Sequence, residues 1–348
     1  MRTEHILIIR FSALGDVAML TPVVWSLAKQ YPDVRITVLS KPFARFLFEN
    51  LASNVSCMGA DIKGEYHGIK GLNDLYRRLV AKKFTAIADM HNVLRSDYLR
   101  LRFNFDQYKV AHLYKDRIAR HRITSYNNKK LTPLPRIFDN YCEVLSKLGY
   151  PITLDFKSIF PDGGGDLSII SDKIPFSKDN EKWIGIAPFA AHKAKILPLD
   201  TMENVISTLS EHHTNIRFFL FGGGKNEIDV FNKWTEKYTT CFNASGNLNG
   251  IQEELILMSH LNVMLSMDSG NMHLASLTGI PVVSVWGATH PFTGFMGYNQ
   301  SLDNAIQLDL PCRPCSIYGN KKCRRNDLAC INNIKAEDII NKIEDIIK

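Results

Sequence analysis

No apolar run in this 348-residue sequence approaches the roughly 18 residues that a membrane-crossing helix needs. The opening Met1-Arg2-Thr3-Glu4 leads straight into a strand-length apolar run, without the pattern of a secretory leader. Export and membrane insertion are therefore not expected, and the cytoplasm is. The turn after that first run holds one glycine, Gly15, where a dinucleotide fingerprint needs G-x-G-x-x-G, which argues against a dehydrogenase. Helix-turn-helix, zinc-finger and RNP signatures are missing too, so nucleic acid is not an expected partner. Acidic residues are scarce between Lys63 and Arg136, where 17 Lys and Arg face 6 Asp and Glu. That local excess of +11 is larger than the +7 of the whole chain. A basic surface of this kind suits a polyanionic substrate or an anionic membrane face, and a merely solvated surface is the simpler explanation.

What is present reads as repeated βα units. Buried-type strands are expected at 5–11, 35–40, 55–58, 84–90 and 108–114, with helices at 17–30, 43–50, 72–83 and 135–148 between or after them. Residues 59–71 and 115–130 read as loops, the second crowded with Lys and Arg. Phe160 to Asp166, with three consecutive glycines, reads as a linker. The pattern then restarts, with strands at 183–188, 216–221, 241–244, 261–266 and 282–286 and helices at 199–211, 226–238, 252–261 and 335–347. At this length two domains are the natural expectation, at 1–165 and 166–348. Both are α/β and Rossmann-like, facing each other across a cleft. The last helix carries Ile339, Ile340, Ile343 and Ile346 on one side and is expected to dock on the protein.

In open parallel sheets ligands bind where strands end and helices begin, and several chemistry-bearing residues fall there. Asp16 follows the first strand and is either a general base or a helix cap. His91 follows the strand 84–90. In the second half Lys195 follows the strand 183–188, Gly222 and Gly223 follow 216–221, and Asp268, Ser269, Gly270 and His273 follow 261–266. A lysine can neutralise phosphate there, and glycines let backbone approach a ligand or simply make a turn. Asp268 and Ser269 either serve the ligand or cap the next helix. Four of the seven cysteines form Cys312-x2-Cys315-x7-Cys323-x6-Cys330, compatible with structural zinc or with a cysteine-stapled loop.

Taken in order, Ile8-Ile9-Arg10-Phe11-Ser12-Ala13-Leu14-Gly15-Asp16, Lys195-Ile196-Leu197-Pro198, Gly222-Gly223-Gly224, Asp268-Ser269-Gly270-Asn271-Met272-His273-Leu274-Ala275 and Trp286-Gly287-Ala288-Thr289-His290-Pro291 resemble glycosyltransferase family 9, the ADP-heptose:lipopolysaccharide heptosyltransferases. The cysteine cluster resembles one found in many members. The resemblance spans nearly the whole chain. It implies a GT-B fold, with an N-terminal acceptor domain, a C-terminal nucleotide-sugar domain and a final helix able to cross back onto the first. It implies an inverting transfer that needs no cofactor and no metal ion; no DxD pair sits at the expected cleft to hold one. By position Asp16 resembles the family's general base and Lys195 the residue that stabilises the departing diphosphate. Asp268, Ser269, Gly270 and His273, with Gly222 and Gly223, resemble its donor-binding set. Charge alone makes Arg77, Arg78, Arg117 and Arg120 candidate acceptor contacts, beside His91. Two positions that often bear hydroxyls in the family are here Ala190 and Ala191, which bears on donor affinity and identity. The implied partners are ADP-heptose and a lipopolysaccharide core acceptor, with the enzyme peripheral to the cytoplasmic face of the inner membrane. A different nucleotide sugar or acceptor, or a sugar-nucleotide-binding module without turnover, are the competing readings.

Overall fold

The computed structural model describes residues 4–161 and 163–348. Residues 1–3 and Asp162 of the expected linker lie outside the described residues. The chain forms two compact units, Met1–Asp116 with Pro135–Ile159, and Arg117–Leu134 with Phe160–Lys348.

The first unit holds strands β1 (His5–Ile9), β2 (Arg35–Ser40), β3 (Val55–Gly59), β4 (Ala86–Asp89) and β5 (Lys109–His112) in the order β3-β2-β1-β4-β5. All pairings are parallel. The central strand β1 is His-Ile-Leu-Ile-Ile and is buried throughout, as a strand covered by helices on both sheet faces must be. After it come α1 (Leu14–Ala18) and α2 (Thr21–Gln30) rather than one helix from 17 to 30. Pro22 explains the break: it has no N–H for the carbonyl of residue 18, and its ring crowds that turn. The expected helix at 43–50 is a 3-10 segment, Pro42–Leu47. Helices α3 (Gly68–Val80) and α4 (Leu94–Phe105) follow.

The basic stretch read as a loop contains α5 (Arg117–Thr124), and residues 117–134 group with the second unit rather than the first. The Lys129 ammonium reaches the carbonyl oxygen of Pro314 at 2.9 Å, and the Leu134 N–H donates to the Phe292 carbonyl at 2.9 Å. The chain then returns for α6 (Ile137–Lys147).

The second unit is built on β6 (Lys182–Ala187), β7 (Ile216–Leu220), β8 (Cys241–Asn243), β9 (Val263–Met267), β10 (Val282–Trp286) and β11 (Ala305–Gln307), all parallel and ordered β11-β10-β9-β6-β7-β8. Its helices are α7 (Leu199–His212), α8 (Lys225–Lys237), α9 (Ala244–Asn247), α10 (Ile251–Met258), α11 (Gly270–Ser276), α12 (Ala329–Asn332) and α13 (Ala336–Ile347). In α13 it is Ile339, Ile340, Ile343 and Ile347 that are buried, packed in one core with Met202, Val205 and Leu209 of α7. The apolar face of the last helix is thus spent within the second unit, where the sequence also allowed it to cross to the first.

Each sheet has one point where the strand order reverses, between β1 and β4 in the first and between β6 and β9 in the second. Adjacent loops leave in opposite directions there, opening a crevice at the carboxyl ends. Among the described residues no helix is long and apolar enough to cross a membrane.

Candidate functional site

In the first unit the switch point carries Asp16, Arg10 and His91. Arg10 follows β1, is 5% exposed, and donates through Nη1 to the Met90 carbonyl at 2.7 Å, binding the ends of β1 and β4 together. Its Nη2 lies 2.6 Å from Asp16 Oδ2. The Ala13 N–H donates to the same oxygen at 3.2 Å. Both contacts fall on Oδ2, so Asp16 is at once a local cap and a carboxylate oriented by Arg10. His91 is held beside it by a turn built on buried Asp89, whose Oδ1 accepts the N–H groups of His91 and Asn92, both at 2.9 Å. Its Nδ1 accepts the Phe11 N–H at 3.4 Å, and burial, chiefly, pushes its pKa down to about 3, so it is neutral at physiological pH. It can exchange hydrogen bonds with a ligand but supplies no charge.

In the second unit the switch point carries Lys195 and Asp268. The Lys195 ammonium is 3.0 Å from Asp268 Oδ2, with the two side chains 11% and 8% exposed. The same oxygen accepts the Thr289 hydroxyl at 2.7 Å. Asp268 is therefore no helix cap: it joins the segments that follow β6, β9 and β10. Ser269 has extended backbone at the start of α11, yet its hydroxyl makes no capping bond and lies 3.4 Å from the Ser266 hydroxyl. Gly270 opens the helix, and His273 is 6% exposed on its next turn. The stem of Lys195 runs over Gly319, where an added Cβ would meet Lys195 Cγ at 2.7 Å.

Other expected residues have contacts of their own. The Gly222 and Gly223 N–H groups already donate to Ser245 Oγ at 2.8 Å and Glu227 Oε2 at 2.7 Å. Gly222 is needed for space, since a Cβ there would meet the Phe231 ring at 2.9 Å. Arg77 and Arg78 lie in the last turn of α3, which leads back to the amino end of β4, the opposite sheet end from Asp16. Arg77 sits 3.9 Å from Asp74, and Arg78 donates to the Tyr66 hydroxyl at 2.6 Å. Arg117 and Arg120 belong to α5 in the second unit, where Arg120 donates to the Tyr318 hydroxyl at 2.9 Å. Thr289 and Arg10 are not among the site residues that the sequence points to. Each acts through a partner distant in the chain or in the next loop, which no local spacing announces.

Cys312, Cys315, Cys323 and Cys330 are free thiols lining one small cavity of about 70 Å³ with Ala194 and Ala288. Burial pushes the Cys330 thiol up to about 11 and raises Cys315 as well. Among the described residues, the side chains whose ligand atoms gather within 4.8 Å of one another are instead His212, His213 and Glu344, where α7 meets α13.

The family model described as glycosyltransferase family 9 (heptosyltransferase) matches residues 72–324. A lipopolysaccharide core heptosyltransferase of Haemophilus influenzae is 24% identical over 308 residues, 88% of this chain and 84% of that one. Among solved structures, a glycosyl transferase family 9 protein of Veillonella parvula has a TM-score of 0.72 at 18% identity, covering 99% of this chain and 98% of its own. An E. coli ADP-heptose LPS heptosyltransferase II has a TM-score of 0.71 at 18% identity, with 98% of each chain covered. Those likenesses speak for the fold, which is that of the GT-B enzymes. The matched span takes in most of the second unit and its Lys195–Asp268 pair, and the chain belongs to glycosyltransferase family 9 (heptosyltransferase).

Proposed function

We propose that this enzyme transfers heptose from ADP-heptose to a sugar of the lipopolysaccharide inner core, by one inverting displacement that uses no metal ion. The observation that carries the reading is the Lys195–Asp268 pair at the switch point of the second sheet. One ammonium hydrogen is occupied by Asp268, leaving two to meet the oxygens of a diphosphate. The acceptor hydroxyl attacks the anomeric carbon while the bond from that carbon to the diphosphate breaks. ADP leaves with the bonding electrons, and the acceptor proton passes to the Asp16 carboxylate. Arg10 keeps that carboxylate oriented, and Lys195 offsets the charge that grows on the leaving group. Ser269, Gly270 and His273 complete the donor set, with Asp268 near the sugar. Neutral His91 contributes hydrogen bonds on the acceptor side, and Arg117 and Arg120 remain candidates for the acceptor by charge alone. The name of the Haemophilus relative supports the lipopolysaccharide core as acceptor, and a cytoplasmic enzyme at the inner-membrane surface fits that substrate.

The test is transfer itself: purified protein, a deacylated core acceptor, EDTA, and a panel of ADP-, UDP- and GDP-sugars, with products weighed by mass spectrometry. Addition of one heptose from ADP-heptose in the presence of chelator is the expected result. Transfer only from another nucleotide sugar, the outcome that Ala190 and Ala191 would favour, replaces the donor assignment. Nucleotide binding without any transfer replaces the enzyme by a binding module.

A further inference from the structure

Arg313, in the middle of the Cys312-Arg-Pro-Cys315 segment, is 4% exposed, and no carboxylate forms a salt bridge with it among the described residues. A buried guanidinium is costly unless every donor is met. Here it is met almost entirely by main chain. Nε donates to the Gly287 carbonyl and Nη1 to the Leu308 carbonyl. Nη2 reaches the carbonyls of Trp286 at 3.0 Å and Thr289 at 2.8 Å, and Gln307 Oε1 at 3.2 Å. Three of these acceptors lie within four residues of one turn, the one that leaves β10.

The other side of that turn faces the proposed donor pair. The Thr289 hydroxyl donates to Asp268 at 2.7 Å, and the Ala288 N–H donates to the carbonyl of Ala194, the neighbour of Lys195, at 3.0 Å. Gly287 has no room for a side chain, because a Cβ would run into the Ala194 carbonyl. Carbonyls thus point back to Arg313, while a hydroxyl and an N–H point forward to Asp268 and to the Lys195 loop. Any relaxation of the turn moves both partners of the ion pair.

We propose that Arg313 is a positioning residue for the donor site: it sets the Trp286–Thr289 turn, and through it the placement of the Lys195 ammonium on which diphosphate affinity depends. The inference rests on the reading that this pair receives the donor's diphosphate. A lysine could not replace it, since a compact ammonium with three donors cannot span acceptors arranged around a planar fork.

The experiment uses the full chain with Arg313→Lys, Arg313→Ala, Thr289→Val and the Arg313→Ala/Thr289→Val double variant. ADP affinity is read by calorimetry, and KM and kcat by transfer, at a temperature where each variant is folded by thermal scan. Arg313→Lys should weaken ADP binding and raise donor KM at least tenfold, with kcat within about threefold of wild type. Millimolar guanidinium should partly restore ADP binding to Arg313→Ala and leave wild type unchanged. The double variant should bind ADP no worse than Arg313→Ala alone, because both changes cut one path. Wild-type ADP affinity in folded Arg313→Lys, or independent additive losses in the double variant, would overturn the inference. Should Arg313→Ala not fold, Arg313→Lys and Thr289→Val still decide. A wild-type enzyme that neither binds ADP nor transfers heptose would instead remove the functional reading beneath it.

Discussion

Replacing either partner of the Lys195–Asp268 pair should have opposite effects on nucleotide affinity and similar effects on stability. Both side chains are about nine-tenths buried, at 11% and 8% exposure. Removing one leaves the other as an unpaired buried charge, which costs about 3 to 5 kcal/mol in such settings. In a unit of this size 1 kcal/mol moves the melting temperature by roughly 2–4 °C, so Lys195→Met and Asp268→Asn should each melt about 6–20 °C lower. The Asp268→Asn loss should fall at the lower end, because the amide oxygen can still accept the Thr289 hydroxyl. ADP binding separates the two variants. Lys195→Met strips the site of its cation and leaves Asp268 to repel the diphosphate, so affinity should fall at least tenfold, about 1.4 kcal/mol. Asp268→Asn frees the ammonium, and affinity should equal or exceed that of wild type, more so at low salt. Calorimetric titration with ADP at two ionic strengths is the assay. A matching loss of affinity in both variants would mean that the pair serves only to hold the fold, and would refute the electrostatic argument.

Acid sensitivity follows from two buried histidines. Burial holds His91 at about 3 and His290 at about 4, against 6.5 when exposed in the unfolded chain. Between those values the unfolded state takes up protons that the native state refuses, so stability falls as pH drops below 6.5. The loss should be about 2 kcal/mol per histidine by pH 5, and His91→Gln should flatten part of that slope in urea titrations. Ile343→Ala should cost about 2–5 kcal/mol, because Ile343 is fully buried where α13 meets the second core. An unchanged melting temperature would show that α13 is not integral to that unit. Gly222→Ala should destabilise by about 1–3 kcal/mol, since its Cβ would come within 2.9 Å of the buried Phe231 ring, whereas Gly223→Ala meets nothing within 4 Å and should be near neutral. Equal effects of the two would contradict the packing role given to Gly222.

Much of this is legible in the sequence itself. The unbroken apolar run His5 to Ile9 announces a central parallel strand, and the strand-to-helix position of Asp268 announces a ligand end. The break at Pro22 is in the sequence as well, but the expectation of one helix at 17–30 passes over it. What was not legible depended on strand order and on long-range partners. Asp268 reads as either a ligand residue or a cap until β6, β9 and β10 are set side by side and Lys195 and Thr289 arrive from different loops. Arg313 reads as one more surface cation in a basic sequence until five acceptors, none of them a neighbour in the chain, close around it. Residues 117–134 show why charge alone misleads: they are basic like the stretch before them, yet their packing assigns them to the other unit.

The division of labour between Asp16 and the donor pair is tested most directly by Asp16→Asn, which keeps the shape of the side chain and removes its ability to take a proton. Heptose transfer and ADP affinity should be measured side by side on that variant and on wild type, with thermal scans to confirm folding. The account predicts that transfer falls at least a thousandfold while ADP affinity stays within about twofold, because Asp16 belongs to the first unit and the Lys195–Asp268 pair proposed to receive the nucleotide belongs to the second. Transfer within tenfold of wild type would contradict Asp16 as the base.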